Sequence, residues 1–192
     1  LKDLLVENVA RRQQLETWRD QYITFYANAM ESFDYPSEHE CLAEVEDGDV
    51  VLLNPSLVSA GARPIKAMVL TTFGNYMASS KHICEPESIA IAPISPLDTP
   101  TFSSEYKSDE GSVVQLWNTR CIPESFLKRC WRVDKFSQNT VDNSWDIYQH
   151  WEGKPLPQRL KSKVFIPQPS DDLRLSTAYF NRESELVDDL EL

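Results

Sequence analysis

The chain has 192 residues, with 19 basic against 30 acidic side chains and a net charge of −11. That length fits one domain with extensions or two very small domains, and it can bury a sizeable core. No apolar run is long enough to cross a bilayer, the five glycines are too few for a Gly-rich phosphate loop, and Leu1-Lys2-Asp3-Leu4-Leu5-Val6-Glu7 lacks the apolar core of a secretory signal.

Residues 1–36 read as one long amphipathic helix. Leu15, Trp18, Tyr22, Phe25 and Ala29 recur at spacings of three and four, which sets them on one stripe. Arg11, Arg12, Gln13, Glu16, Arg19 and Asp20 fill the other side. Such an aromatic stripe needs a partner surface, either the rest of the chain or a second copy of it. Asp34-Tyr35-Pro36-Ser37 ends the helix.

A series of short β-type runs follows. Residues 48–53 (Gly-Asp-Val-Val-Leu-Leu) and 64–72 are apolar and β-branched, and a third strand spans 88–95 with Ile89, Ile91 and Pro93 alternating. Residues 73–87 are a long loop and 96–100 a rigid Pro-rich turn. A weak strand is expected at 102–107 and the last strong one at 111–122. No crossover helix separates these runs, so the expected fold is mainly β with helices, a small antiparallel barrel.

Beyond the strands, Pro123-Glu124-Ser125 starts a short helix with Phe126, Leu127 and Cys130 facing inward. A second helix at 139–151 carries Val141, Trp145 and Tyr148 on one face, with Gly153 as its stop. The expected organisation is therefore an N-terminal helix (1–36), a barrel with C-terminal helices (47–152), a Pro-rich linker (153–170) and an acidic tail (171–192). In the tail, Leu175, Tyr179, Leu186 and Leu190 approximate a helical stripe.

Charge is unevenly placed. Residues 1–46 hold four basic and ten acidic side chains, and 171–192 hold two and seven, whereas 47–170 is neutral. Acidic flanks repel nucleic acid, keep a protein soluble, and are suited to cover a basic groove on the same molecule. Cys41, Cys84, Cys121 and Cys130 form no Cys-x-x-Cys pair, and His39, His82 and His150 do not flank them at finger spacing. No metal or other cofactor is expected, and the cysteines are expected to be reduced thiols in a cytoplasmic protein.

Residues 47–151, roughly half the chain, resemble the MazF/PemK-like toxin family. The features that carry the resemblance are Gly48-Asp49-Val50-Val51, Arg63-Pro64, the strand ending Pro93-Ile94-Ser95, and the Ser112-Val113-Val114 run that reaches Arg120, all in the family's order. The resemblance implies a barrel of the Src-homology-3 type and metal-independent cleavage of single-stranded RNA. It places Arg63 and Ser95 at the scissile phosphate and Arg120, Lys128, Arg129 and Arg132 on the RNA backbone.

The chemistry fits those residue types. A guanidinium binds two phosphate oxygens and stabilises the charge that develops as a ribose 2′-hydroxyl attacks, and a serine hydroxyl donates to the same phosphate. The family's Thr is Ser95 here, which keeps the hydroxyl and loses the β-branched stiffness. The implied partners are single-stranded RNA, a second copy in a homodimer, and an acidic antitoxin peptide, whose place the chain's own acidic tail could take. The alternative is a non-catalytic barrel module that joins proteins in a larger assembly.

Overall fold

The structure is a computed structural model that describes residues 17, 20, 36–37, 41, 44–58, 64–71, 88–98, 100, 102, 104–164 and 173–187, with backbone alone at 71 and 173–178. Its centre is a five-stranded antiparallel sheet. The strands are β1 (Asp49–Leu52), β2 (Lys66–Thr71), β3 (Ser88–Pro93), β6 (Arg120–Pro123) and β7 (Trp131–Lys135). Their order is β6-β3-β2-β1-β7. A separate hairpin is made by β4 (Glu105–Lys107) and β5 (Val113–Gln115), and it touches the sheet through the bridge between Ile94 and Val114.

The continuous apolar runs of β1, β2 and β3 have a simple cause: both faces of the sheet are covered. Alternate residues Val51, Ala67, Val69, Ile89, Ile91 and Ile122 pack with Leu127, Cys130, Leu186 and Val187. The intervening set, Val50, Met68, Leu70, Ala90 and Ala92, packs with Tyr106, Val114, Ile147 and Tyr148. A period of two therefore divides each strand between two cores, and neither set of positions can be polar.

After the first strands, the described residues form three α-helices: α1 (Glu124–Leu127), α2 (Gln138–Trp151) and α3 (Leu173–Glu185). Ser137 caps α2 by accepting the Thr140 N–H. Val141 and Tyr148 are buried and Trp145 partly so, as the 139–151 stripe predicts. Gly153 stops the helix at φ +100. In the acidic tail, Tyr179 is buried within α3 and Leu186 just past its end, while Leu190 and the side chain of Leu175 lie outside the described residues.

In its elements and topology the structure departs from the sequence reading in four places. The strand expected over 111–122 is two strands, β5 and β6, separated by a 3-10 turn at Leu116–Asn118. Thr119 Oγ1 closes that turn by donating to Leu116 O at 2.8 Å. The turn hands one run of chain from the hairpin to the far edge of the sheet. Second, β7 was not foreseen. Third, no closed barrel forms among the described residues: β6 and β7 are the two ends of the sheet, and the hairpin joins it only at the end of β3. Fourth, residues 153–164, the described part of the expected linker, are not simply an extended spacer, because Leu160 is buried in a 3-10 turn and Val164 bridges to Tyr106.

Thr17 and Asp20 are helical, and the remainder of the helix expected over 1–36 lies outside the described residues. Cys121 is disulfide-bonded, which corrects the expectation of reduced thiols throughout. Its partner lies outside the described residues, since Cys41 and Cys130 are free. Among the described residues, no helix is long and apolar enough to cross a membrane.

Candidate functional site

Ser95 lies two residues past the end of β3. Its backbone N–H bonds to Val113 O at 2.8 Å, which ties the end of β3 to the hairpin. Its hydroxyl accepts the Leu97 N–H at 3.1 Å and lies 2.8 Å from the hydroxyl of Tyr179 on α3. Ser95 is buried, and the C-terminal helix meets it through that hydroxyl pair.

Tyr179 sits in a polar socket. Its O–H donates to Glu105 Oε1 at 2.7 Å, and Gln115 Nε2 donates to its oxygen at the same 2.7 Å. With the phenol proton directed at Glu105, the Ser95 hydroxyl supplies the remaining donor. Burial, followed by the charges of Glu105 and Glu183, holds the Tyr179 pKa well above its usual value, so the phenol stays protonated and acts as a donor.

The walls of the socket are themselves anchored. Glu105 is fully buried at the start of β4; its Oε2 accepts the Phe102 N–H at 3.1 Å and its Oε1 accepts Trp117 Nε1 at 3.3 Å. Ser104, just before it, has φ 61, a left-handed conformation uncommon outside glycine and Asn/Asp. Gln115 Nε2 also donates to Glu183 Oε2 at 2.9 Å, and Asn118 Nδ2 donates to Glu183 O at 3.1 Å. Around this polar set lies an aromatic collar: Trp117 packs on Phe180 with centroids 4.5 Å apart, and Phe102 packs on both.

Arg120, at the start of β6, points to the same helix. Its Nη2 donates to Ser184 Oγ at 3.2 Å. Tyr179 and Ser184 are five positions apart on α3, about 7.5 Å along the axis at 1.5 Å per residue. The helix thus covers Ser95 with one turn and Arg120 with the next. Just beyond its end, Leu186 and Val187 pack in one cluster with Leu127 of α1.

The other expected backbone contacts have local partners. Lys128 pairs with Glu124 at 2.9 Å one helical turn away. Arg129 donates to Ser56 Oγ at 2.9 Å. Arg132 reaches the fully buried Asp49 at 2.6 Å, on the β1–β7 side of the sheet rather than under α3. Arg63 and His82 lie outside the described residues. Among the described residues, no group of three His, Cys, Asp or Glu is placed to hold a metal ion. Comparison with known proteins finds no matching family model, no matching curated protein and no matching solved structure.

Four members of this cluster, Glu105, Gln115, Tyr179 and Glu183, were not singled out as site residues from the sequence. The available signals were local oddities: a carboxylate heading a strand, an amide inside Val113-Val114-Gln115-Leu116, and a Tyr and a Glu one turn apart on a helical stripe. Without the fold, nothing in the sequence brings the four together.

Proposed function

We propose that the chain is a MazF-like endoribonuclease that cleaves single-stranded RNA without a metal and is held in check by its own C-terminal helix. In this reading Arg63 and Ser95 act at the scissile phosphate, and Arg120 and the basic turn after α1 hold the RNA backbone. The acidic tail takes the place that an antitoxin peptide takes in the family. The protein works as a homodimer.

The observation that carries the reading is that α3 binds Ser95 through Tyr179 and Arg120 through Ser184. Two residues chosen for RNA are contacted by one helix of the acidic tail, a helix that itself balances Arg174 and Arg182 against Glu183 and Glu185. The antiparallel order of β1, β2 and β3, and the position of Ser95 just past β3, support a Src-homology-3-like sheet that does not close. A toxin that acts on cellular RNA works in the cytoplasm; the disulfide at Cys121 pulls the other way, because reducing compartments keep thiols free.

A second reading, a non-catalytic interaction module, is favoured by one fact: Ser95 is 7 % exposed and fully engaged. One assay separates the two. Single-stranded RNA is incubated in EDTA with the wild-type chain, with Tyr179→Asp, and with Tyr179→Asp/Arg63→Ala. Tyr179→Asp sets a carboxylate against Glu105, a repulsion that displacement of α3 relieves. The nuclease reading expects cleavage by Tyr179→Asp well above wild type and its loss with Arg63→Ala. RNA left intact by every form supports the module.

A further inference from the structure

We propose that Glu105 is the general base of the RNA-cleaving site, and that the Tyr179 hydroxyl stands where the attacking ribose 2′-hydroxyl binds. The inference rests on the nuclease reading above and goes beyond it, because the resemblance assigned no residue to proton removal.

The socket around the Tyr179 oxygen has the hydrogen-bonding inventory of a hydroxyl. It offers one acceptor, Glu105 Oε1 at 2.7 Å, and two donors, Gln115 Nε2 at 2.7 Å and the Ser95 hydroxyl at 2.8 Å. A hydroxyl brings one proton and two lone pairs, so all three contacts are satisfied at once. The three walls come from β4, β5 and the end of β3. The occupant comes from α3, an element that lies on the sheet rather than within it. Lifting α3 leaves a hydroxyl-shaped vacancy beside Ser95.

Glu105 does not depend on Tyr179 for its aim. The Phe102 N–H grips Oε2, the Trp117 indole grips Oε1, and the left-handed Ser104 turns the chain so that the carboxylate faces inward. A general base needs hydrogen-bond reach to the proton it takes, and 2.7 Å provides it. Ser95 lies 2.8 Å from the same oxygen, and turning its single proton to an oxygen of the phosphate on the neighbouring 3′-oxygen frees the lone pair with which the 2′-oxygen attacks. Trp117, which packs on Phe180 of α3, would offer its face to a base once the helix lifts.

The step balances without a co-reactant. The 2′-hydroxyl proton passes to Glu105 Oε1 as the 2′-oxygen bonds to phosphorus. The bond from phosphorus to the 5′-oxygen breaks, and its electron pair leaves with that oxygen, which takes a proton from solvent. The products are a 2′,3′-cyclic phosphate and a 5′-hydroxyl.

The test uses the full-length chain carrying Tyr179→Asp, with trypsin cleavage at Arg182 as the independent sign that α3 has been released. Single-stranded RNA in EDTA is compared for this form, for the form that also carries Glu105→Gln, and for the form that carries Glu105→Asp. The expected result is at least about a hundredfold slower cleavage with Glu105→Gln and a flat acidic side to its pH–rate profile. Glu105→Asp, which keeps a carboxylate, retains an acidic limb. RNA binding stays within a few-fold in all three, which also shows that the fold is retained. Cleavage by Glu105→Gln at the parent rate with an unchanged profile overturns the assignment of the base and leaves the nuclease standing. RNA left intact by the released parent removes the nuclease reading and this proposal with it.

Discussion

The hydroxyls of Tyr179 and Ser95 meet at 2.8 Å although 84 positions separate them in the chain. This contact fastens the last helix to the end of the third strand. Replacing Tyr179 with Phe removes the shared oxygen and leaves Ser95, Gln115 and Glu105 each short of a partner in a buried place. The expected cost is about 1–3 kcal/mol of stability. A lower thermal midpoint, together with faster trypsin cleavage at Arg182, checks it; an unchanged midpoint would mean that water refills the socket at no cost.

Glu110 fastens the start of α2. Its Oε1 accepts the Ser137 N–H at 3.0 Å and its Oε2 accepts the Thr140 hydroxyl at 2.7 Å. Burial acts to raise its pKa, but the hydrogen bonds from Ser137 and Thr140 outweigh it and lower the value from 4.5 to about 2. The folded form thus holds its proton less tightly than the unfolded chain. The stabilisation is present in full above pH 4.5 and is lost as pH falls toward 2. Because the carboxylate is exposed and screened, we expect about 1 kcal/mol. Chemical denaturation of wild type and Glu110→Gln at pH 7 and pH 3 measures it, and the gap between them should narrow at the lower pH.

Asp49 is fully buried and accepts both the Glu46 N–H at 2.9 Å and Arg132 Nη2 at 2.6 Å. Arg132 was read from the sequence as an RNA contact, and its geometry makes it a clamp between β7 and β1. Asp49→Asn is expected to destabilise the fold by about 1–3 kcal/mol, since it strands a guanidinium against a neutral amide. A double-mutant cycle with Arg132→Met should return a coupling of about 0.5–3 kcal/mol. Additive effects would release Arg132 for another role.

Gly48 combines two constraints. Its φ is +83, and an added Cβ would come within 2.9 Å of Val141 Cγ2 and 3.0 Å of Phe136 O. Gly111 has a similar φ of +90 but open space around it. Ala at 111 should cost about 1–2 kcal/mol for the left-handed backbone alone. Ala at 48 should cost clearly more, because Phe136 O is backbone and cannot swing aside. Equal losses at the two positions, read from denaturant midpoints, would show that the contact at Gly48 relaxes freely.

The parts of the fold that could be read in advance are those governed by burial on two faces. Val50-Val51-Leu52, Met68-Val69-Leu70 and Ile89-Ala90-Ile91 have no polar position, and few environments other than a covered sheet accept such runs. By contrast, β7 escaped notice because Trp131-Arg132-Val133-Asp134-Lys135 carries three charges, which an edge position tolerates and a pattern of apolar alternation does not register. The break at Leu116–Asn118 was hidden inside an apolar run whose turn is closed by one threonine hydroxyl. For the site, Ser95 and Arg120 were reached through resemblance. Glu105 was not, because its partner Tyr179 stands 74 positions away and a lone carboxylate in sequence signals solvent.

The position of β7 at one end of the sheet has a further consequence. Its outward row of amides and carbonyls has no sixth strand beside it among the described residues. Arg132, Asp134 and Lys135 along this strand are exposed, and charges on such a margin discourage another chain from docking backbone to backbone. Backbone-to-backbone pairing of another chain along this border is therefore disfavoured.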